Sequence, residues 1–186
     1  MNMIKSNRKI FFISKSMALV IWGVSIADLI VNYILWSSKK QEMLYGIIES
    51  IDPSLLAKNI ELSSMSVISL IILTYMPIFI SSLGLFFVGY FFFKTSQGEV
   101  WTSKNIKILF IGGVLAILSP MARGLLDTFE SLAISINLPK GERVFVFYLG
   151  FSLSAMRDLI YGVVLLSLSL IMTEAKKVSD ENKEYV

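Results

Sequence analysis

Four stretches of the chain are apolar at nearly every position for about the 20 residues that a helix needs to cross a bilayer. They fall at residues 12–36, 65–93, 106–132 and 145–173. The first is interrupted only by Asp28. The second runs for 29 residues from Met65 to Phe93 without a charge, longer than a perpendicular crossing requires. It is therefore expected to tilt, and Pro77 near its middle to kink it. The third is free of charge only from Ile108 to Ala122, and Arg157 with Asp158 divides the fourth. Each of these two spans only as one piece, with its charges at membrane depth. The pattern predicts an all-α polytopic membrane protein, a bundle of four transmembrane helices forming a single domain.

The segments between the spans have characters of their own. In residues 37–64, Leu44, Ile47, Ile48 and Ile51 recur at helical spacing, and Asp52-Pro53 has the form of an N-cap and first position of a second short helix. This is expected to be an amphipathic element lying on the outer surface or capping the bundle. A short loop covers 94–105, and the polar tail "EAKKVSDENKEYV" of 174–186 continues the last span as a helical extension.

Composition agrees with the pattern. Of 186 residues, 55% are hydrophobic and 17% charged, a balance outside the soluble range of about 45 to 50% and about 25%. The net charge of +3 is small, and the cations sit in short segments between apolar blocks, which argues against direct nucleic-acid binding. Cysteine and histidine are both absent, which removes disulfides, thiolate metal sites, the commonest general base and the commonest transition-metal ligand. Carboxylates alone are left for proton chemistry, no nucleophile stands beside a base, and the chain is expected to be neither an enzyme nor a cofactor or metal carrier.

The cations also orient the chain. With the N-terminus inside, ten fall on the cytoplasmic side (Lys5, Arg8, Lys9, Lys15, Lys94, Lys104, Lys107, Lys176, Lys177, Lys183) and five outside (Lys39, Lys40, Lys58, Lys140, Arg143). That bias places both termini in the cytoplasm. Ser25-Ile26-Ala27 has the small-residue spacing of a signal-peptidase site, but the apolar run continues beyond it through "LIVNYILW", as an anchor does.

The charges inside the spans form the first candidate site. On one continuous helix Arg123, Asp127 and Glu130 fall within about 60° of one another. Helix four carries Arg157 and Asp158, and helix one carries Asp28 with Asn32 a turn later. An ion at the bilayer centre costs about 2.5 to 3.5 kcal/mol on insertion scales, so both arginines are expected to pair across helices with Asp28, Asp127 or Asp158. Such pairs either fix helix register, carry protons or ions, or bind a small polar ligand. If all the carboxylates were ionised the group would be at −2, so either one holds a proton or Glu130 reaches the outer interface.

The second candidate is the inner loop, where Gly98 suits a turn, Thr102 or Ser103 an N-cap, and Trp101 an interfacial anchor. Gly98-Glu99-Val100-Trp101-Thr102, then Asn105, an apolar helix and a last span running into the charged tail resemble a family of small bacterial four-span membrane proteins of unknown function. Phe is more usual in that family where Trp101 stands. The resemblance implies a bacterial inner-membrane protein without catalytic residues, encoded beside an Xre-type helix-turn-helix regulator. It suggests a regulatory or sensory role in which the loop and tail hold that regulator at the membrane. The alternative is a small transporter or channel component using the Asp/Arg cluster, which would need a homo-oligomer or partner subunits to enclose a path.

Overall fold

A computed structural model describes residues 2–57, 62–136, 138–139, 141, 143–148, 150 and 152–184, with side chains from 9 through 182. Lys58 and Lys140, and the side chains of Lys5, Arg8 and Lys183, counted above for orientation, lie outside that description. Among the described residues the chain forms seven helices and no strand: α1 (Asn2–Ser38), α2 (Lys40–Ile51), α3 (Ser54–Ala57), α4 (Ser64–Ser96), α5 (Ser103–Gly124), α6 (Leu126–Ser135) and α7 (Leu153–Glu184). Four of them, α1, α4, α5 and α7, are long and apolar enough to cross a membrane. The protein is an all-α, multi-pass membrane bundle. Its outward residues, such as Leu19, Phe79, Ile160 and Val163, are apolar, as a lipid solvent requires.

The four spans pack as a row rather than a closed ring. α1 lies on α4, α4 on α5 and α5 on α7, with no packed interface between α1 and either α5 or α7. Hydroxyl and indole donors fix the register. Trp22 Nε1 donates to the Phe86 carbonyl at 3.1 Å and Ser25 Oγ to that of Ser82 at 2.9 Å. Ser119 Oγ reaches the Pro77 carbonyl at 2.9 Å, and Ser169 Oγ that of Ile106 at 3.3 Å. In lipid no hydrophobic force brings helices together, so small residues must let them touch. A Cβ on Gly89 would sit 2.6 Å from the Trp22 ring, and one on Gly162 would sit 2.6 Å from Ile117 Cγ1 and 3.0 Å from its backbone nitrogen.

At the inner end, α4 stops in a Schellman turn: Glu99 N–H donates to Lys94 O at 3.1 Å, Gly98 N–H to Thr95 O at 3.0 Å, and Gly98 takes φ 87°, which a side chain would resist. Thr102, not Ser103, is the N-cap of α5 and accepts from Asn105 N–H at 3.2 Å.

Two boundaries differ from the pattern. The third span does not run on to Leu132 but breaks at Leu125, where Pro120 has removed one intrahelical hydrogen bond and Gly124 ends the regular turns. The fourth begins at Leu153 rather than 145, capped by Ser152 Oγ accepting from Ala155 N–H at 3.2 Å. The described residues before it, 143–148, 150 and 152, are not helical.

Outside the spans, α2, α3, α6 and the first turns of α4 share a core of Ile48, Leu55, Leu70, Ala133, Ile134 and Leu138. Leu44, Ile47 and Ile51 of α2 pack against it, so the amphipathic outer segment caps the bundle instead of lying free on the surface. Asp52 Oδ1 accepts from Ser54 N–H at 2.9 Å and starts α3 as the Asp-Pro pair predicts.

Candidate functional site in the outer cap

The intramembrane charges do not assemble. Asp28 is exposed on α1, and Asn32 Nδ2 merely donates back to the Asp28 carbonyl of its own helix at 2.9 Å. Arg123 is exposed and makes no ion pair among the described residues. Arg157 meets only its chain neighbour, with Nε 3.9 Å from Asp158 Oδ1 and both side chains substantially exposed. The expected pairing of Arg123 and Arg157 across helices with Asp28, Asp127 or Asp158 is therefore corrected. Its premises fail for two geometric reasons. α4 stands between α1 and the other two helices, so Asp28 has no arginine within reach. Both arginines also occupy outer helix ends, Arg123 one residue before the end of α5 and Arg157 in the second turn of α7, where a long side chain extends to the interface. Arg123 in the last turn of α5 further suits the negative end of the helix macrodipole.

Glu130 behaves differently from the rest of the predicted group. The break at Leu125 carries it onto α6, outside the spans, where it is only 4% exposed and lies against α4. Thr74 Oγ1 is 3.3 Å from Glu130 Oε1 and 2.9 Å from the Leu70 carbonyl one turn back. A hydroxyl has one proton, which cannot serve both acceptors at full strength. The Leu70 carbonyl is the nearer acceptor, so Thr74 offers the Glu130 carboxylate only weak compensation for its burial. Burial, and secondly the charge of Asp127, push the Glu130 pKa up to about 7, against a smaller lowering by the Thr74 hydrogen bond. Burial thus brings the proton affinity of Glu130 into the neutral range.

The same helix holds the chain that leads to α7. Three hydroxyls on one face of α6 grip alternate residues of the extended segment 143–148. Thr128 Oγ1 donates to Tyr148 O and accepts from Tyr148 N–H, both at 2.9 Å. Ser131 Oγ gives its own proton to the Thr128 carbonyl at 2.8 Å and accepts from Val146 N–H at 3.3 Å, while Ser135 Oγ bonds both polar groups of Val144 at 2.5 and 3.0 Å. Spacings of three and four on a helix match spacings of two on an extended chain, because about 5 Å of rise separates the residues in one and about 6.6 Å in the other. The result is a hydroxyl ladder that substitutes for a neighbouring strand. Val144 and Val146 turn inward while Phe145 and Phe147 are exposed.

The ladder has a signature in the sequence. "VFVFY" alternates β-branched and aromatic residues, a strand signature, but its apolar character absorbs it into the fourth span when hydropathy alone is followed. Thr128, Ser131 and Ser135 likewise share a face that an unbroken span to Leu132 cuts short.

The inner-loop residues are held tightly together. Asn105 is fully buried and donates to Thr95 Oγ1 at 3.3 Å, while Lys94 Nζ reaches Glu99 Oε1 at 3.2 Å and Gln97 Oε1 at 3.1 Å. Trp101 is exposed beside them. These contacts close the turn and leave Trp101 outward. Among the described residues no three carboxylates converge as a metal site would need.

Comparison with known protein families, curated proteins and solved structures finds no match.

Proposed function

We propose that the protein is a regulatory membrane relay, without enzymatic turnover, that couples its outer cap to its cytoplasmic tail. The observation that carries this reading is the continuity from α6 to the tail. The hydroxyl ladder ties segment 143–148 to the cap, and a few residues later in the chain begins α7, an unbroken helix of 32 residues. At 1.5 Å per residue such a helix is about 48 Å long, against about 30 Å of hydrocarbon. Its last turns, from Glu174 onward, therefore project from the membrane. A shift of α6 displaces the ladder, and a rigid helix delivers that displacement to Lys176, Lys177, Asp180 and Glu181.

On this reading the bias of cations puts the tail in the cytoplasm of a bacterial cell, and the tail with the compact loop at Gly98–Asn105 presents mixed charge to a cytoplasmic partner. A helix-turn-helix regulator held and released there fits the resemblance drawn from the loop and tail. The row of helices favours this over a transporter or channel, since α4 keeps Asp28 on α1 apart from Arg123, Arg157 and Asp158.

The test exploits the absence of cysteine. A spin label at Lys177→Cys is read in the full chain in detergent or nanodiscs, with the ladder intact and with Ser131→Ala and Ser135→Ala combined. The relay requires the tail label to change mobility when the ladder is cut. Identical spectra, with the cap demonstrably loosened by hydrogen exchange, would remove the basis for it. Affinity isolation of the tagged protein from a native membrane then identifies whatever the tail retains.

A further inference from the structure

At the inner end of the bundle, α5 and α7 line a cavity of about 260 Å³. Its polar wall is formed by Ser103, Lys107, Thr173 and Lys176, and its apolar wall by Ile106 and Phe110. Depth follows from the register. The Ser169–Ile106 and Asn105–Thr95 bonds put the cavity level with the end of α4, beside Lys94 and the exposed Trp101, at the membrane boundary.

The wall is built for an anion. Lys107 makes no ion pair among the described residues. Lys176 is steered by Asp180, 2.5 Å away one turn further along α7, and an ammonium has three donors, so one contact does not exhaust it. Thr102 caps the Asn105 amide, which leaves the Ser103 and Lys104 amides at the positive end of a 22-residue helix. The two lysines carry one more charge than Asp180 offsets. Below them Phe110 is 41% exposed and continues the apolar flank of the cavity into the hydrocarbon. A soluble anion would leave that flank uncovered, whereas a phosphate carrying acyl chains uses both walls. The volume suits a phosphodiester and glycerol inside, with the chains outside along the helices.

We infer that this cavity is a binding site for an anionic glycerophospholipid of the inner leaflet, its phosphate held between Lys107 and Lys176 and its chains laid over Ile106 and Phe110. The site joins the first turns of α5 to the point where α7 leaves the membrane, so an occupied site fixes the root of the tail.

The experiment uses the full-length protein in a neutral detergent, with native mass spectrometry and thermal melting read against added phosphatidylglycerol, phosphatidylcholine or inorganic phosphate. The expected result is one phosphatidylglycerol retained per chain and a saturable rise in melting temperature that phosphatidylcholine does not reproduce. Lys107→Ala with Lys176→Ala weakens this binding about thirtyfold, taking about fivefold for each lysine near an anionic lipid. Lys107→Glu alone, at an exposed position, abolishes it, while Lys177→Ala leaves it unchanged. Equal retention of both lipids, an unaltered affinity in Lys107→Glu, or equal stabilisation by inorganic phosphate at matched concentration would each overturn the assignment.

Discussion

Replacing Glu130 by glutamine tests the cap most directly. The glutamine keeps the shape of the protonated carboxyl and its hydrogen bond to Thr74 but cannot ionise. Glu130 has its pKa pushed from 4.5 to about 7 by burial and then by Asp127. A displacement of that size separates the protonated from the ionised cap by about 3 kcal/mol. Because the folded value is raised, the closed cap binds the proton more tightly than the opened cap, in which Glu130 meets water. The contribution is fully present below about pH 4.5 and is lost as the pH rises through about 7. Between pH 5 and 8 the wild-type cap should lose about 2 to 3 kcal/mol, or roughly fifty- to a hundredfold in protection of the α6 and α2 amides from hydrogen exchange after correction for intrinsic rates. Glu130→Gln should show a flat profile at the protected, low-pH level, and Asp127→Asn should move the wild-type midpoint downward. A wild-type cap with no pH dependence, or a glutamine variant that follows the wild type, refutes the burial of an uncompensated carboxyl on α6.

Other parts of the structure make equally specific predictions. Ser131→Ala should cost about 1 to 3 kcal/mol of cap stability, because it strands the Val146 N–H, and limited proteolysis should then cut within 143–148. Gly162→Ala drives a methyl into Ile117 and the backbone of α5, and should lower the melting temperature in detergent by an amount equivalent to about 1 to 3 kcal/mol. Arg123→Gln, at an exposed helix end with no acidic partner among the described residues, should change stability by only about 0.3 to 1 kcal/mol. A loss of several kcal/mol there would restore the buried cross-helix pair.

What hydropathy reads is set by what lipid demands, and that is why the four spans stand where their apolar runs stand. The alternation of Leu44, Ile47, Ile48 and Ile51 likewise announces α2 and its buried side. The cap core was not legible, because Leu70 and Ile134 look like membrane residues in a linear reading and become core only when α6 folds back beside α4. The charged cluster failed for a related reason. Helical phase places Arg123, Asp127 and Glu130 on one face only if the helix is continuous, and Pro120 with Gly124 end that continuity one residue beyond the arginine. Depth counted from the apolar run also sets Arg157 too far inside, since α7 begins only at Leu153. Neighbour relations between spans are not encoded in hydropathy at all. Nothing in the pattern says that α4 separates Asp28 from α5 and α7.

The linear order of the helices has a consequence for biogenesis. Each span rests on the one synthesised immediately before it, α4 on α1, α5 on α4 and α7 on α5, so every newly released helix finds its docking partner already in the bilayer. No early segment has to wait unpaired for a late one to close a ring. The protein can assemble at the pace of translation, and truncation after any span leaves the preceding neighbours with their mutual contacts intact.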